Sequence, residues 1–341
     1  MNPADSAWVI GGPKGGSAPI ASGKLAPEAL ERYVLTATGA PRPEVLVGPA
    51  VGEDASVIKW PEGKLMVFAS DPVVGAERGA GRLLVRVNVN DIASKGGEPA
   101  YIAVTIILHP AMGEEAVASI MREIHEECLS SGIAIVGGHT EFNCRYRHPV
   151  LSAALIGAAD RVLRAGDAKA GDAIYVTKHV GIEGMAILAS DRPDLLRRAL
   201  SDDEIALARG WMDQTSVLSE SRLLRDCASF MHDPTEGGFL GGLYEICRLT
   251  NLSADISRDA VPLHDLTRRA AKSLGFDPLR LVASGSMMAV VPSESVPSVE
   301  EAFRASDIAI TMVGRMAERD GEAECEEPGE ELWSLLNRAA P

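Results

Sequence analysis

The segment RVNVNDIASKGGEPA, running from Arg86 to Ala100, decides how the first half of the chain is read. Val85, Val87 and Val89 recur at every second position, which is the period of a strand with one buried face. Asn88, Asn90 and Asp91 sit among them. Amides and carboxylates in a core segment are costly unless something binds them. Gly96 and Gly97 then punctuate the chain before the apolar run YIAVTIIL. On alternation alone the segment reads as a strand that carries a candidate site.

The rest of the chain has the composition of a soluble globular protein. Of 341 residues, 46% are hydrophobic and 24% charged, enough for two ordinary domains and a sizeable core. Aromatics make up only 4%, too few for the stacking platforms of a single-strand nucleic-acid binder. The formal net charge of −15 repels nucleic acid and anionic membranes. A phosphate-bearing ligand must then be held locally, by backbone N–H groups, a metal ion or single basic residues. The start MNPADSAWVIGGPKGG shows no basic region followed by a long apolar one, and no apolar run reaches bilayer length. Five cysteines without a CxxC pair read as reduced thiols. The expected location is cytoplasmic, with no membrane and no nucleic-acid partner.

Punctuation divides the chain into a flexible glycine-rich arm (residues 1–24), an N-terminal domain (25–160) and a C-terminal domain (161–341). A helix is predicted over LAPEALERYVLTATG. A second is predicted over EEAVASIMREIHEECLSSG, with Val117, Ile120, Met121, Ile124 and Cys128 on its inner face. EVLVGP, ASVIKW, PVLSAALIGAAD, DAIYVTKHVG, SMMAVV and AITMVGRM read as strands. KLMVFASDPVV reads as a strand closed by an Asp-Pro turn, and IAIVGGHTE as a strand running into a glycine turn. SFMHDPTEGGFLGGLYEICRLTN reads as strand, glycine turn and helix. Strands alternate with helices in both halves and hairpin-like pairs also occur, so the expected class is α/β or α+β.

Four spots in the first half place acids or glycines at strand ends. They are Asp54 in GED, Asp71 in SDP, Asp91 in NDIASKGG, and the run Gly137, Gly138, His139, Thr140 and Glu141. Strand ends are where such domains bind ligands. Separate carboxylates suit Mg²⁺, which prefers oxygen and keeps waters and phosphates in its shell. The plainer alternative is that each aspartate forms a turn or caps a helix. In GGPKGG, Lys14, Gly15 and Gly16 could cover phosphates or belong to a disordered arm. In MHDPTEGGFLGG, His232 and Asp233 end a strand and Gly237 and Gly238 open a helix. That is either an anion site with an acid–base group beside it or a capped helix start. GxxxxGK[ST], GxSxG, HExxH and GxGxxG are all absent.

Taken together, VGEDASVI, SDPVV, VNVNDIASKGGEPAYIAVTIIL, IAIVGGHTE, HDPTEGG and ASGSMMAVV resemble, in content and order, the PurM-like superfamily of aminoimidazole ribonucleotide (AIR) synthetases. GKLAPEALE and DPTEGG make the hydrogenase maturation (HypE-like) branch the best likeness. The resemblance implies a two-domain α+β fold and a homodimer whose N-terminal strands form a shared barrel. It also implies ATP and Mg²⁺ as cofactors, bound in a cleft at that dimer interface. It assigns Asp54, Asp71 and Asp91 to the metal and Asn88 and Asn90 to orienting phosphates or aspartates. Lys14, Gly15, Gly16, the 137–141 run, Gly237 and Gly238 are assigned to the nucleotide or its ligand. His232 and Asp233 would face the acceptor, with Asp91 as the catalytic carboxylate. It further implies that Arg86–Ala100 is a helix ended by its two glycines, not a strand. The implied reaction is phosphorylation of a small-molecule or protein-borne carboxamide oxygen. A thiamine-monophosphate-type kinase and a non-catalytic ATP-binding regulatory subunit are the alternatives. The chain departs from the branch by ending in LLNRAAP without a terminal cysteine, by Glu236 in place of Arg in DPTRGG, and by His139 in place of Asp.

Overall fold

Arg86–Ala100 is the end of a helix and the start of a strand. In the computed structural model, which describes residues 23–51, 55–74, 79–319 and 328–338, the helix α2 spans Ala80–Ser94. Its buried residues include Leu84, Val85, Asn88, Val89, Ile92 and Ala93. That spacing has the helical period; Val85 and Val89 belong to it, while Val87 is only half-buried. The strand reading fails because it leaves out Leu84 and Ile92. Gly96, at φ +70°, ends the helix: its N–H donates to Ala93 O and that of Gly97 to Ile92 O, at 2.8 and 3.0 Å. A Cβ on Gly96 would lie 2.9 Å from Leu163 Cδ1, so the site needs glycine on two counts.

The chain divides into two compact units. The first holds the described residues up to 88 together with 99–158; the second holds 89–98 together with the described residues from 159 onward. Helix α2 is divided between them after Asn88. Lys14, Gly15, Gly16 and Asp54 lie outside the described residues.

The first unit contains β1 (Gly23–Lys24), α1 (Pro27–Tyr33), β2 (Val45–Val47), β3 (Val57–Ile58), β4 (Leu65–Ala69), β5 (Pro72–Val74), β6 (Glu98–Leu108), α3 (Gly113–Ser131), β7 (Ala134–Phe142) and β8 (Val150–Ala159). Gly23 and Lys24, expected in the arm, pair antiparallel with Glu141 and Phe142 of β7. β6 and β7 are parallel and joined through α3, and the main sheet runs β1-β7-β6-β8-β4 with β5 also on β8. The five inward residues expected on α3 are all buried, and Gly132 closes it in the left-handed conformation. Burial pushes the Cys128 thiol up to about 12. Arg86 forks onto Glu127 of α3 with Nε–Oε1 at 2.8 Å, tying α2 to that helix. β2 and β3 form a separate two-stranded ribbon. Along β2 to β5, Leu46, Val57, Leu65, Met66, Phe68 and Val74 point apolar side chains to solvent.

Two expectations change here. Asp71 does not turn the chain back: β4 and β5 both lie against β8, and Ser70–Asp71 is a break between them. The glycines of IAIVGGHTE do not form a turn either. They stay inside β7, after a bulge that skips Val136 opposite Ile102 and Ala103.

The second unit contains β9 (Ala173–Thr177), α4 (Ile182–Asp191), α5 (Pro193–Leu196), α6 (Asp202–Gly210), α7 (Leu218–Leu224), β10 (Phe230–His232), α8 (Gly238–Thr250), β11 (Ser253–Ile256), α9 (Asp265–Leu274), β12 (Met288–Val291), α10 (Val296–Arg304), β13 (Ile310–Ala317) and α11 (Leu332–Leu336). Its sheet, ordered β10-β12-β9-β13-β11, is antiparallel throughout. One core packs Phe239 and Ile246 of α8 with the sheet residues Ile174, Val176, Met288 and Val290. A second joins α4, α6, α9 and α11, with Leu332 and Leu335 buried in it. Helices alternate with strands here while every strand pair is antiparallel, which makes the class α+β.

Candidate active site

The buried asparagines of α2 bind backbone. Asn88 is fully buried; its Oδ1 accepts from Asp71 N at 2.9 Å, and its Nδ2 donates to Asp71 O and Leu84 O. Asp71 O also accepts from Ala153 N. The amide of Asn88 therefore fixes the main chain at the β4–β5 break. Asn90, 1% exposed, does the same in the second unit: Oδ1 accepts from Val217 N at 3.0 Å and Nδ2 donates to Thr215 O at 2.9 Å. Both amides were expected to orient phosphates or aspartates. Asn88 orients an aspartate through its backbone, and Asn90 orients a loop.

In the first unit, Gly138 is held to glycine by close approach. A Cβ there would sit 1.9 Å from Val104 O of the neighbouring strand. Beyond it, His139 Nε2 lies 3.1 Å from Glu141 Oε2, since alternate residues of a strand share a face. Hydrogen bonds from His139 and then Asn143 hold the Glu141 carboxyl below the usual range. Thr140 is buried and its carbonyl accepts from Leu25 N. Gly137 to Thr140 line one side of a cavity of about 330 Å³, whose other walls include Leu30, Val34, Met121 and Ile135. Apolar walls shared with polar groups such as Thr38, Ser56 and His139 are the usual form of a small-molecule site.

In the second unit, Asp91 and Lys95 stand four residues apart on the last turn of α2 and just beyond it. Ser94 Oγ donates to Asp91 O, and Ser221 Oγ to Ala93 O, so this helix end is pinned. Lys95 Nζ lies 4.8 Å from the centre of the Phe230 ring. Loss of hydration at the ammonium pulls its pKa down, while the charges of Asp233 and Asp91 pull it up. Asp233 is buried. His232 Nε2 lies 2.7 Å from Glu245 Oε2, and this hydrogen bond holds the Glu245 carboxyl down. Gly237 and Gly238 have φ of +74° and +62°, a pair of left-handed residues that only glycines adopt readily. The structure thus gathers Asp91, Lys95, Asp233, Phe230 and His232 in one unit, and Asp71, Asn88 and the 137–141 run in the other.

Both halves match one family. The AIR synthase related N-terminal domain matches residues 52–159 and its C-terminal domain residues 169–325. The chain belongs to the AIR synthase related family. Among its relatives in that family is the carbamoyl dehydratase HypE of Rhizobium leguminosarum bv. viciae, 27% identical over 276 residues, 74% of this chain and 73% of the relative. A solved hydrogenase maturation protein HypE in complex with ATP shares the fold, with TM-score 0.70, 19% identity and coverage of 89% of each chain. So does the thiamine-monophosphate kinase of Stenotrophomonas maltophilia K279a, with TM-score 0.68, 22% identity and coverage of 88% of this chain and 97% of the other.

Three residues escaped the sequence reading. Lys95 sits inside the NDIASKGG motif, and its i+4 spacing from Asp91 was a usable signal once the segment was taken as helix. Lys178 has φ +54°, and its Nζ donates to Gln214 O and Ser216 O and pairs with Glu220 Oε1 at 2.7 Å, securing the loop that Asn90 also holds. Glu330 reaches Gly237 N from almost a hundred residues away, and no local pattern announces it.

Proposed function

We propose that this AIR synthase related protein is an ATP- and Mg²⁺-dependent enzyme that phosphorylates a carboxamide or similar small-molecule oxygen. The observation that carries the reading is helix α2. Both of its buried asparagines are spent on backbone clamps, and these set Asp71 and the Thr215–Val217 loop while the same helix carries Asp91. A helix that only packed would not need two buried amides and a carboxylate in four residues. The ATP complex of the HypE relative and the carbamoyl dehydratase name of another support the nucleotide and the acceptor class.

Asp91 is the described residue of the second unit that would hold Mg²⁺; Asp71, with Asp54, is the candidate of the first. Mg²⁺ takes one or two protein carboxylates and completes its shell with water and phosphate. No group of three His, Cys, Asp or Glu is gathered among the described residues, so water and phosphate oxygens would fill most of the shell. Bound there, the ion would neutralise phosphate charge as transfer proceeds. The chain's own part is positioning. The cavity beside Gly137–Thr140 would take the nucleoside, and a Cβ on Gly137 would meet nothing within 4 Å, which leaves room there. Lys95 adds a point charge beside Asp91. Asp233, with His232 oriented by Glu245, would face the acceptor. The exposed apolar side chains of β2 to β5 would be covered by a second copy, giving a homodimer.

The test is ADP formation from ATP and Mg²⁺ with a panel of primary carboxamides and with thiamine monophosphate. The reading requires Mg²⁺-dependent ADP release stimulated by a carboxamide. Stimulation by thiamine monophosphate alone would assign a kinase. Tight ATP binding with no ADP from any acceptor would assign a regulatory subunit.

A further inference from the structure

The glycine turn of the second unit already holds an anion, and the chain supplies it. Glu330 Oε2 accepts from Gly237 N at 2.5 Å, while Oε1 accepts from Leu332 N at 2.7 Å and Val282 N at 3.3 Å. Three backbone donors from three separate segments converge on one carboxylate, the geometry in which an anion is held most strongly. The segment that brings Glu330 there is firmly docked. Leu332 and Leu335 are buried in the helical core. Arg280 Nε donates to Gly329 O at 2.7 Å, and its Nη1 lies 3.7 Å from Glu331 Oε1. Arg192 Nη1 donates to Leu335 O, Leu336 O and Arg338 O, satisfying the carbonyls at the end of α11. Trp333 Nε1 donates to Glu236 Oε1 at 3.4 Å, so α11 also grips the exposed acid of the turn itself. Pro328 O would lie 3.2 Å from a Cβ on Gly237.

We infer that Glu330 is a built-in anion that closes the glycine turn to phosphate-bearing ligands and so selects an acceptor without an anionic group at this point. The inference rests on the phosphoryl-transfer reading only for the word acceptor; the closure itself stands on the contacts above. A free phosphate arriving at the turn finds the Gly237 donor taken and meets two carboxylates, Glu330 and Glu236. An uncharged amide meets no such repulsion.

The experiment follows the Gly237 amide resonance of the nitrogen-labelled full chain during titration with inorganic phosphate, in the wild type, Glu330→Ala and Glu330→Gln. Thermal melts with and without formate accompany it. The wild type should show no saturable phosphate shift at Gly237. Glu330→Ala, with its donors uncovered, should bind phosphate at least about tenfold more tightly there and gain melting temperature from formate that the wild type does not gain. Glu330→Gln keeps the side-chain volume and one acceptor while losing the charge. It should bind phosphate more tightly than the wild type, and it carries the test if the alanine variant does not fold. Equal phosphate binding at Gly237 in wild type and variants, or no gain in a folded variant, overturns the inference. None of these readouts uses ATP, so a protein that makes no ADP would count against the phosphoryl-transfer reading and leave this result standing.

Discussion

At the level of single residues, the polar groups in α2 are legible as a site but not in their roles. Asn88 and Asn90 stood out because amides in an apolar segment demand partners. That those partners would be Asp71 and the Thr215–Val217 loop was not readable, since they lie 17 and about 125 residues away. The roles lead to distinct outcomes. Asn90→Ala leaves Val217 N and Thr215 O without their partner in a buried place and should cost about 2 kcal/mol or more. Chemical denaturation should show it as a lower midpoint at an unchanged slope; no shift would mean that water replaces the amide. Gly138→Ala drives a Cβ into Val104 O and should cost about 3 kcal/mol. A wild-type midpoint would show that β6 and β7 can part there without penalty.

Elements were legible where one periodicity ran unbroken. Helix α3 was visible because five apolar residues and a final glycine agree. Strand β7 was cut short in the sequence reading because two glycines usually signal a turn, whereas here they let the backbone approach β6. Segment α2 misled for the opposite reason: three alternating valines imitate a strand when the flanking Leu84 and Ile92 are ignored. The cluster of His179, Trp211 and His264 left no mark in the sequence. Its ring centres lie 4.7 to 5.4 Å apart, and His179 Nδ1 is buried without a hydrogen-bond partner among the described residues. Burial, with the charges of His264 and Lys178, pulls His179 down to about 4, against a hydrogen bond to Val180 that raises it. A histidine depressed in the folded state binds its proton first in the unfolded one. Its contribution to stability is present above an ordinary histidine pKa near 6.5 and is lost as pH falls toward 4. His179→Phe should flatten that part of the stability–pH curve, measured by denaturation across this window. An unchanged curve would place the titration elsewhere.

For the whole molecule, the order of six short motifs was enough to reach the family, and the two matched domains bear that out. The docking of Pro328–Arg338 was not reachable, because it joins residues far apart in sequence through backbone donors that every residue has. The exposed apolar side chains of β2 to β5 lead to an assembly prediction. On the proposed homodimer, the wild type should sediment as a dimer and Phe68→Glu, placed on a strand position 63% exposed, as a monomer. A dimer that persists in the variant would put the interface on another face. Under the proposed function, Asp91 serves Mg²⁺-dependent ATP turnover and not the fold. This is tested most directly by ADP release from ATP and Mg²⁺ in the wild type and in Asp91→Asn, with both melting temperatures recorded. ADP release should fall by a factor of about a hundred or more while the melting temperature stays within a few degrees; ADP release at the wild-type rate in the folded variant would take Asp91 out of the reaction.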